Sequence, residues 1–275
     1  MNDNLQGQNP TDRRTFEADR NAGGTREWSD ASYNISLGCD HDCLYCYARR
    51  IAQRFGRIEN FEKWTTMVIN PAKVNASARD FGGLVMFPTT HDITPDILPA
   101  ALETLNNLLA AGNDVLIVSK PHLKVVQTLC QELKTYRDKI LFRFTIGSLS
   151  AATCKLWEPG APPPAERIAA LEYAFAHGFR TSVSMEPMLG QNDEMKALVA
   201  RLTPFVMDTI WLGKLNGGIP LAAQELPGVK ASLASIRCGQ SDDKILELHA
   251  ALKKQCKVRW KDSIKKVLRQ HGMVI

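Results

Sequence analysis

No run in this 275-residue sequence approaches the roughly 20 consecutive apolar residues that a membrane helix requires. The opening residues, MNDNLQGQNPTDRR, lack the apolar stretch of a secretory signal. The expectation is a soluble, cytoplasmic, monomeric protein with no membrane partner. Internal repeats and low-complexity tracts are absent too, which sets aside stacked-repeat architectures. Charge of one sign is not abundant: the formal net charge of +5 permits a nucleic-acid partner without requiring one. The seven cysteines form no even, regularly spaced set of the kind that staples small secreted domains.

The chain is long enough, at 44% hydrophobic, for one substantial core but short for two. Residues 1–30 are polar and aperiodic and read as a mobile leader. From Ala31 short apolar or β-branched runs alternate with helical patterns, the mark of a parallel α/β domain. The expected strands are 32–37, 84–87, 115–119, 140–146, 181–185 and 209–212. Helices are expected over 47–55, 95–111, 122–136, 165–177 and 193–202, the second with Thr94 as N-cap and Gly112 beyond its last turn. The barrel domain should run over 31–216, followed by a basic extension, 217–275, packed on it and containing helices at 242–255 and 261–270. In open or closed parallel sheets, function gathers at the strands' C-terminal ends. Here those ends carry Cys39, Thr89 to Asp92, Lys120, Ser148, Glu186 and Lys214.

Cys39, Cys43 and Cys46 place three thiols within eight positions. Three thiolates with no fourth nearby suit a [4Fe–4S] cluster that keeps one iron open, since ferredoxin clusters take four. Zinc completed by His41 or a remote cysteine is the alternative, though His41 lies only two residues from Cys39 and Cys43. Cys130, Cys154, Cys238 and Cys256 are scattered and read as small apolar side chains.

The spacing CxxxCxxC followed by Tyr47 resembles the cluster motif of the radical SAM superfamily. Residues 156–171, LWEPGAPPPAERIAAL, and Val118-Ser119-Lys120 are similar to the spore photoproduct lyase group within it. The resemblance implies a partial (β/α)6 barrel with a C-terminal helical extension. It further implies a cluster held by Cys39, Cys43 and Cys46 whose open iron binds S-adenosylmethionine (SAM). Such an enzyme, of lyase or transferase type, cleaves SAM reductively to methionine and a 5′-deoxyadenosyl radical. A flavodoxin or ferredoxin-type protein would supply the electron. By the same resemblance Tyr47 lies beside the SAM adenine, Lys120 and Ser148 face its carboxylate, and Thr89 and Thr90 face its amino group. The photoproduct lyases place a further cysteine near the second strand as hydrogen donor. Here that stretch reads FPTTHD, so photoproduct repair itself is not implied.

The residues alone also bear on these assignments. A lysine at the end of an apolar strand needs an anionic partner, a ligand carboxylate or a neighbouring Asp or Glu. Thr89 and Thr90 could accept from an ammonium or serve a turn before Pro95. Glu186, ahead of Pro187, should point into the barrel mouth toward ribose or substrate, while Lys214 and Asn216 are either substrate contacts or surface loop. Residues 252–272 hold eight Lys or Arg, one Asp and Trp260. Such a stripe can track phosphates while the tryptophan stacks, or be a solvated face. The expected substrate is a nucleic-acid base or nucleotide; the alternatives are a peptide or small molecule, and a non-enzymatic metal module.

Overall fold

The computed structural model describes residues 24–216 and 219–273. Nine strands appear among them: β1 (Ala31–Ser32), β2 (Ser36–Leu37), β3 (Val68–Ile69), β4 (Leu84–Phe87), β5 (Asp114–Ser119), β6 (Ile140–Thr145), β7 (Arg180–Met185), β8 (Ile210–Leu212) and β9 (Val258–Trp260). Seven form one sheet in the order β1-β4-β5-β6-β7-β8-β9, with every neighbouring pair parallel. Sheet order therefore follows chain order, as in a barrel wound in one direction.

β4, β8 and most of β5 read as near-continuous apolar runs because both faces are covered, whereas β7 alternates buried Thr and Ser with Val183 and Met185. Val85, Phe87, Val115, Ile117, Phe142, Phe144 and Val183 pack against helix residues such as Leu105, Leu108, Val126, Leu171 and Leu198. The alternate residues Leu84, Met86, Leu116 and Leu141 turn the other way and meet Trp28 and Trp211 in a separate inner layer. The outer helices Leu98–Ala110, Leu123–Glu132, Pro164–Ala176 and Asn192–Leu202 lie where the sequence places them. Gly112 and Gly178, at φ +101° and +76°, turn the chain out of the first and third. Thr94 does not cap a helix with its side chain; a 3-10 turn, Pro95–Ile97, intervenes and the hydroxyl rests on Met67 Sδ at 3.5 Å.

Four differences from the sequence expectations matter for the site. The first expected strand splits, because after Ser32 the chain leaves the sheet and Ser36–Leu37 pair antiparallel with Val68–Ile69. A seventh strand, β9, joins β8 inside the basic extension, with Val258 and Trp260 buried and Arg259 exposed between them. The helix Pro227–Gly239 lies in a stretch where no helix is expected; Val229, Leu233 and Ile236 seat it on Trp157 and Leu189. Finally, residues 24–30 belong to the folded body, Glu27, Trp28 and Ser29 being buried, so the leader's expected boundary at residue 30 is too late. The rest of that leader, residues 1–23, lies outside the described residues.

Candidate active site

The cysteine loop is held from three sides. Behind it, Cys39 N donates to Trp64 O at 2.8 Å, and a Cβ on Gly38 would run into the carbonyl oxygens of Trp64 and Thr66. Gly38 sits at φ +93°, so only glycine fits there without strain. At the loop's end Cys46 is N-cap of the helix Tyr47–Arg54, its Sγ accepting from Arg49 N at 3.4 Å. Arg49, itself buried, turns back to Asp42 Oδ1 (2.6 Å) and Cys43 O (3.2 Å).

The third side is the segment 156–167. Leu44 N donates to Trp157 O and Gly160 N to His41 O. Tyr45 Oη donates to Glu158, whose carboxylate meets Arg167 Nη2 at 2.5 Å. Arg167 also reaches Pro162 O (2.7 Å) and Thr145 O (3.3 Å). Glu158 and Arg167 are almost fully buried, so each charge depends on the other. The stretch that resembles the lyases thus acts here as a clamp on the cysteine loop.

All three thiols are free, and all three line one cavity of about 740 Å³. Burial raises the pKa of each, that of Cys43 to about 12. Without metal the thiols therefore hold their protons, which binding iron would displace. No other cysteine lines the cavity: Cys130 and Cys154 are buried elsewhere, Cys154 on Ser148 O, and Cys238 and Cys256 are exposed. This donor set fits a cubane cluster with one iron left for another ligand. It fits zinc poorly. Among the described residues, the His, Cys and acid group whose ligand atoms all lie within 4.8 Å is Cys39, His41 and Asp92, which engages one of the three cysteines.

Asp92, which the sequence did not single out, is the hub beside the loop. Its carboxylate accepts from Ser119 Oγ (2.8 Å), Lys120 N (2.6 Å) and Lys120 Nζ (3.1 Å), lies 3.0 Å from His41 Nδ1, and approaches Cys39 Sγ at 3.8 Å. Burial alone would raise its pKa, but Lys120 and His41 outweigh burial and hold it well below the carboxylate range. Lys120 mirrors this: burial opposes its charge, and the carboxylates, Asp92 first and then Glu158, overcome it. The ion pair that the sequence offers as one partner for Lys120 is thus present, and the lysine still lines the cavity. The signal for Asp92 was that need of Lys120 for an acid.

Thr89 and Thr90 line the cavity, their amides held by Asn34 Oδ1 at 2.7 and 2.8 Å. Thr89 Oγ1 accepts from Asn34 Nδ2 and its carbonyl from Tyr47 Oη, which fixes Tyr47 at the rim. Glu186 faces the cavity, where burial raises its pKa against the pull of Lys261, 3.5 Å away. Ser148 does not reach the cavity. It is fully buried, donates to Glu194 and accepts from Ser150 N, because the chain turns there into the helix Ala151–Trp157. Thr145 and Ser184 present the polar groups on that wall instead.

The basic stripe divides. Lys261 turns inward to Glu27 (2.6 Å) and lies over the Trp28 ring at 4.0 Å, and Lys265 also meets Glu27. Lys257 is spent on the carbonyls of Thr203 and Val206. Trp260 is buried against His249 and has no free face for a base. The inner layer below the cavity is completed by Arg143, 1% exposed, bonded to Ser182 Oγ and stacked over Trp28 and Trp211.

Residues 33–202 match the family model of the Radical SAM superfamily. The chain belongs to that superfamily. A protein of Acidianus two-tailed virus, described as uncharacterized protein ORF301, is 29% identical over 184 residues, covering 62% of this chain and 60% of that protein. The chain thus spans about three fifths of that curated relative. Among solved structures, a spore photoproduct lyase mutant with dinucleoside spore photoproduct matches with a TM-score of 0.53 at 14% identity, covering 87% of this chain and 73% of the other. A second mutant, with bound AdoMet and the same photoproduct, matches with a TM-score of 0.51 at 14% identity and the same coverage. At this identity the likeness is one of fold. Among the described residues, no helix is long and apolar enough to cross a membrane.

Proposed function

We propose that this radical SAM protein binds a [4Fe–4S] cluster through Cys39, Cys43 and Cys46, cleaves SAM reductively, and directs the resulting 5′-deoxyadenosyl radical at a nucleic-acid base or nucleotide. The observation that carries the chemistry is the trio of free thiols, those of Cys39 and Cys43 buried and that of Cys46 half-buried, lining a single cavity with no fourth cysteine in it. Bound there, the cluster supplies the electron that splits the SAM sulfonium.

The chain's own residues bind, orient and exclude water. Lys120 is the cation available to a carboxylate next to the cysteines, and Asp92 keeps it charged and aimed. The rim at Thr89, Thr90 and Tyr47 offers polar backbone and an aromatic face for the amino group and adenine. Glu186, buried and shared with Lys261, can accept from ribose hydroxyls. Met86 and Trp28, from the apolar inner layer, line the cavity and help to exclude water from it. The bound photoproduct in lyases of the same fold supports a base or nucleotide as substrate, as does the cationic far wall described below. A flavodoxin or ferredoxin-type protein is the proposed electron donor.

Anaerobic reconstitution with iron and sulfide, followed by SAM and a reductant, tests the chemistry. The expected result is about four irons per chain and release of 5′-deoxyadenosine. A colourless zinc protein, or an intact cluster that leaves SAM uncleaved, overturns the reading.

A further inference from the structure

The cavity extends from the cysteine loop to the C-terminal helix Asp262–Gln270, so its two ends differ in chemistry. At the cysteine end Lys120 is matched by Asp92, and at the far end Lys261, which precedes that helix, is matched by Glu27 and Glu186. The other cations of the far end are not matched in this way. Lys214, in the loop after β8, has only the half-exposed Asp242 at 3.7 Å. Lys266 has no ion-pair partner among the described residues, and Arg50 on the opposite rim has none either. Of the acids lining that end, Glu186 is held by Lys261 at 3.5 Å and Asp262 is drawn on by Arg269 at 3.8 Å.

Lys214 and Lys266 are brought together by specific bonds. Lys214 N donates to Ser263 Oγ at 3.1 Å, which staples the loop to the start of the helix. Ser263 and Lys266 are three residues apart on that helix and share a face, the one that lines the cavity. The helix in turn is set by β9, whose pairing with β8 carries on as Lys261 N to Leu212 O at 2.8 Å. An excess of cations at the open end of a cavity attracts an anion, and lysines are point-charge partners for phosphate.

We infer that Lys214 and Lys266 form a phosphate-binding subsite that holds the sugar-phosphate backbone of the substrate while its base enters toward the cysteines. This deepens the nucleic-acid reading and rests on it for the identity of the substrate, though not for the presence of the anion site. It also relocates the nucleic-acid contact within 252–272. Lys266 faces the cavity, whereas Lys253 and Lys254 are exposed away from it and line none of it.

The test is binding by cluster-loaded protein, under anaerobic conditions and across a salt series, of a labelled mixed-sequence single-stranded oligonucleotide and of tripolyphosphate. Lys214→Gln/Lys266→Gln is compared with Lys253→Gln/Lys254→Gln, each checked for an unchanged thermal transition. The first pair is expected to weaken oligonucleotide binding roughly tenfold at low salt and to flatten the salt slope by about one unit or more, the second to leave both unchanged. If the wild type ignores the oligonucleotide but binds tripolyphosphate in a Lys214- and Lys266-dependent way, the nucleic-acid reading falls and the anion subsite stands. Salt slope and tripolyphosphate affinity equal in wild type and Lys214→Gln/Lys266→Gln, or a wild type that binds neither probe, overturn the subsite.

Discussion

His41 Nδ1 lies 3.0 Å from Asp92 Oδ2, so a histidine set between two of the three cysteines is anchored to a carboxylate at the exit of β4. The same carboxylate holds Lys120, and the loop and the strand ends are therefore one electrostatic unit. Asp92→Asn removes the charge that compensates a buried lysine. Loss of one partner of a buried pair costs about 3–5 kcal/mol, and urea unfolding should show a loss of that order. Asp92→Asn/Lys120→Met should recover most of it, the coupling being read from the double-mutant cycle.

The clamp on the loop predicts an effect on metal without an effect on fold. Glu158→Gln leaves Arg167 without its carboxylate and loosens Tyr45. After anaerobic reconstitution the variant should retain less than half the iron of the wild type, with an unchanged far-ultraviolet spectrum. Wild-type iron content would mean that the backbone bonds of Leu44 and Gly160 hold the loop unaided.

Among the cysteines the division should be sharp. Cys39→Ala, Cys43→Ala and Cys46→Ala should each abolish the absorbance of the cluster and 5′-deoxyadenosine release. Cys130→Ala, Cys154→Ser and Cys238→Ser should leave cluster absorbance in place, since none of these lines the cavity.

His91 gives a pH dependence to stability. Its Nε2 accepts from Ile35 N and Ser36 N, so that nitrogen must be unprotonated, and burial lowers its pKa to about 4 from an ordinary 6.5. The unfolded chain takes up the proton below about pH 6.5 while the folded one refuses it, so stability is full above 6.5 and falls as pH drops toward 4. Between pH 7.5 and 5 the loss should be on the order of 2 kcal/mol. Chemical denaturation at the two pH values measures it, and His91→Gln should remove most of the difference.

The parallel barrel was legible because its strands, buried on both faces, leave unbroken apolar runs such as Leu84–Phe87, and because glycines mark the helix ends. β9 was not, since three residues flanked by lysines give too short an alternation to stand out from a basic helix. At the site, the cysteines announce themselves by spacing, and Lys120, Thr89, Thr90, Tyr47 and Glu186 do line the cavity. Ser148 follows its strand closely enough to suggest the mouth, but a single turn into the next helix aims it at Glu194. Asp92 and the inward Lys261 depend on partners far away in sequence, information that no local pattern carries.

Glu27 shares its carboxylate with Lys261 and Lys265, the latter 238 positions further along the chain. A ribosome releases a protein from its first residues onward, so during synthesis this acid waits for its counter-ions until Lys261 and Lys265 have emerged. The floor of the cavity is accordingly the final part of the barrel to be completed, and a nascent chain that stops short of Lys261 would carry the cysteine loop without the wall that faces it.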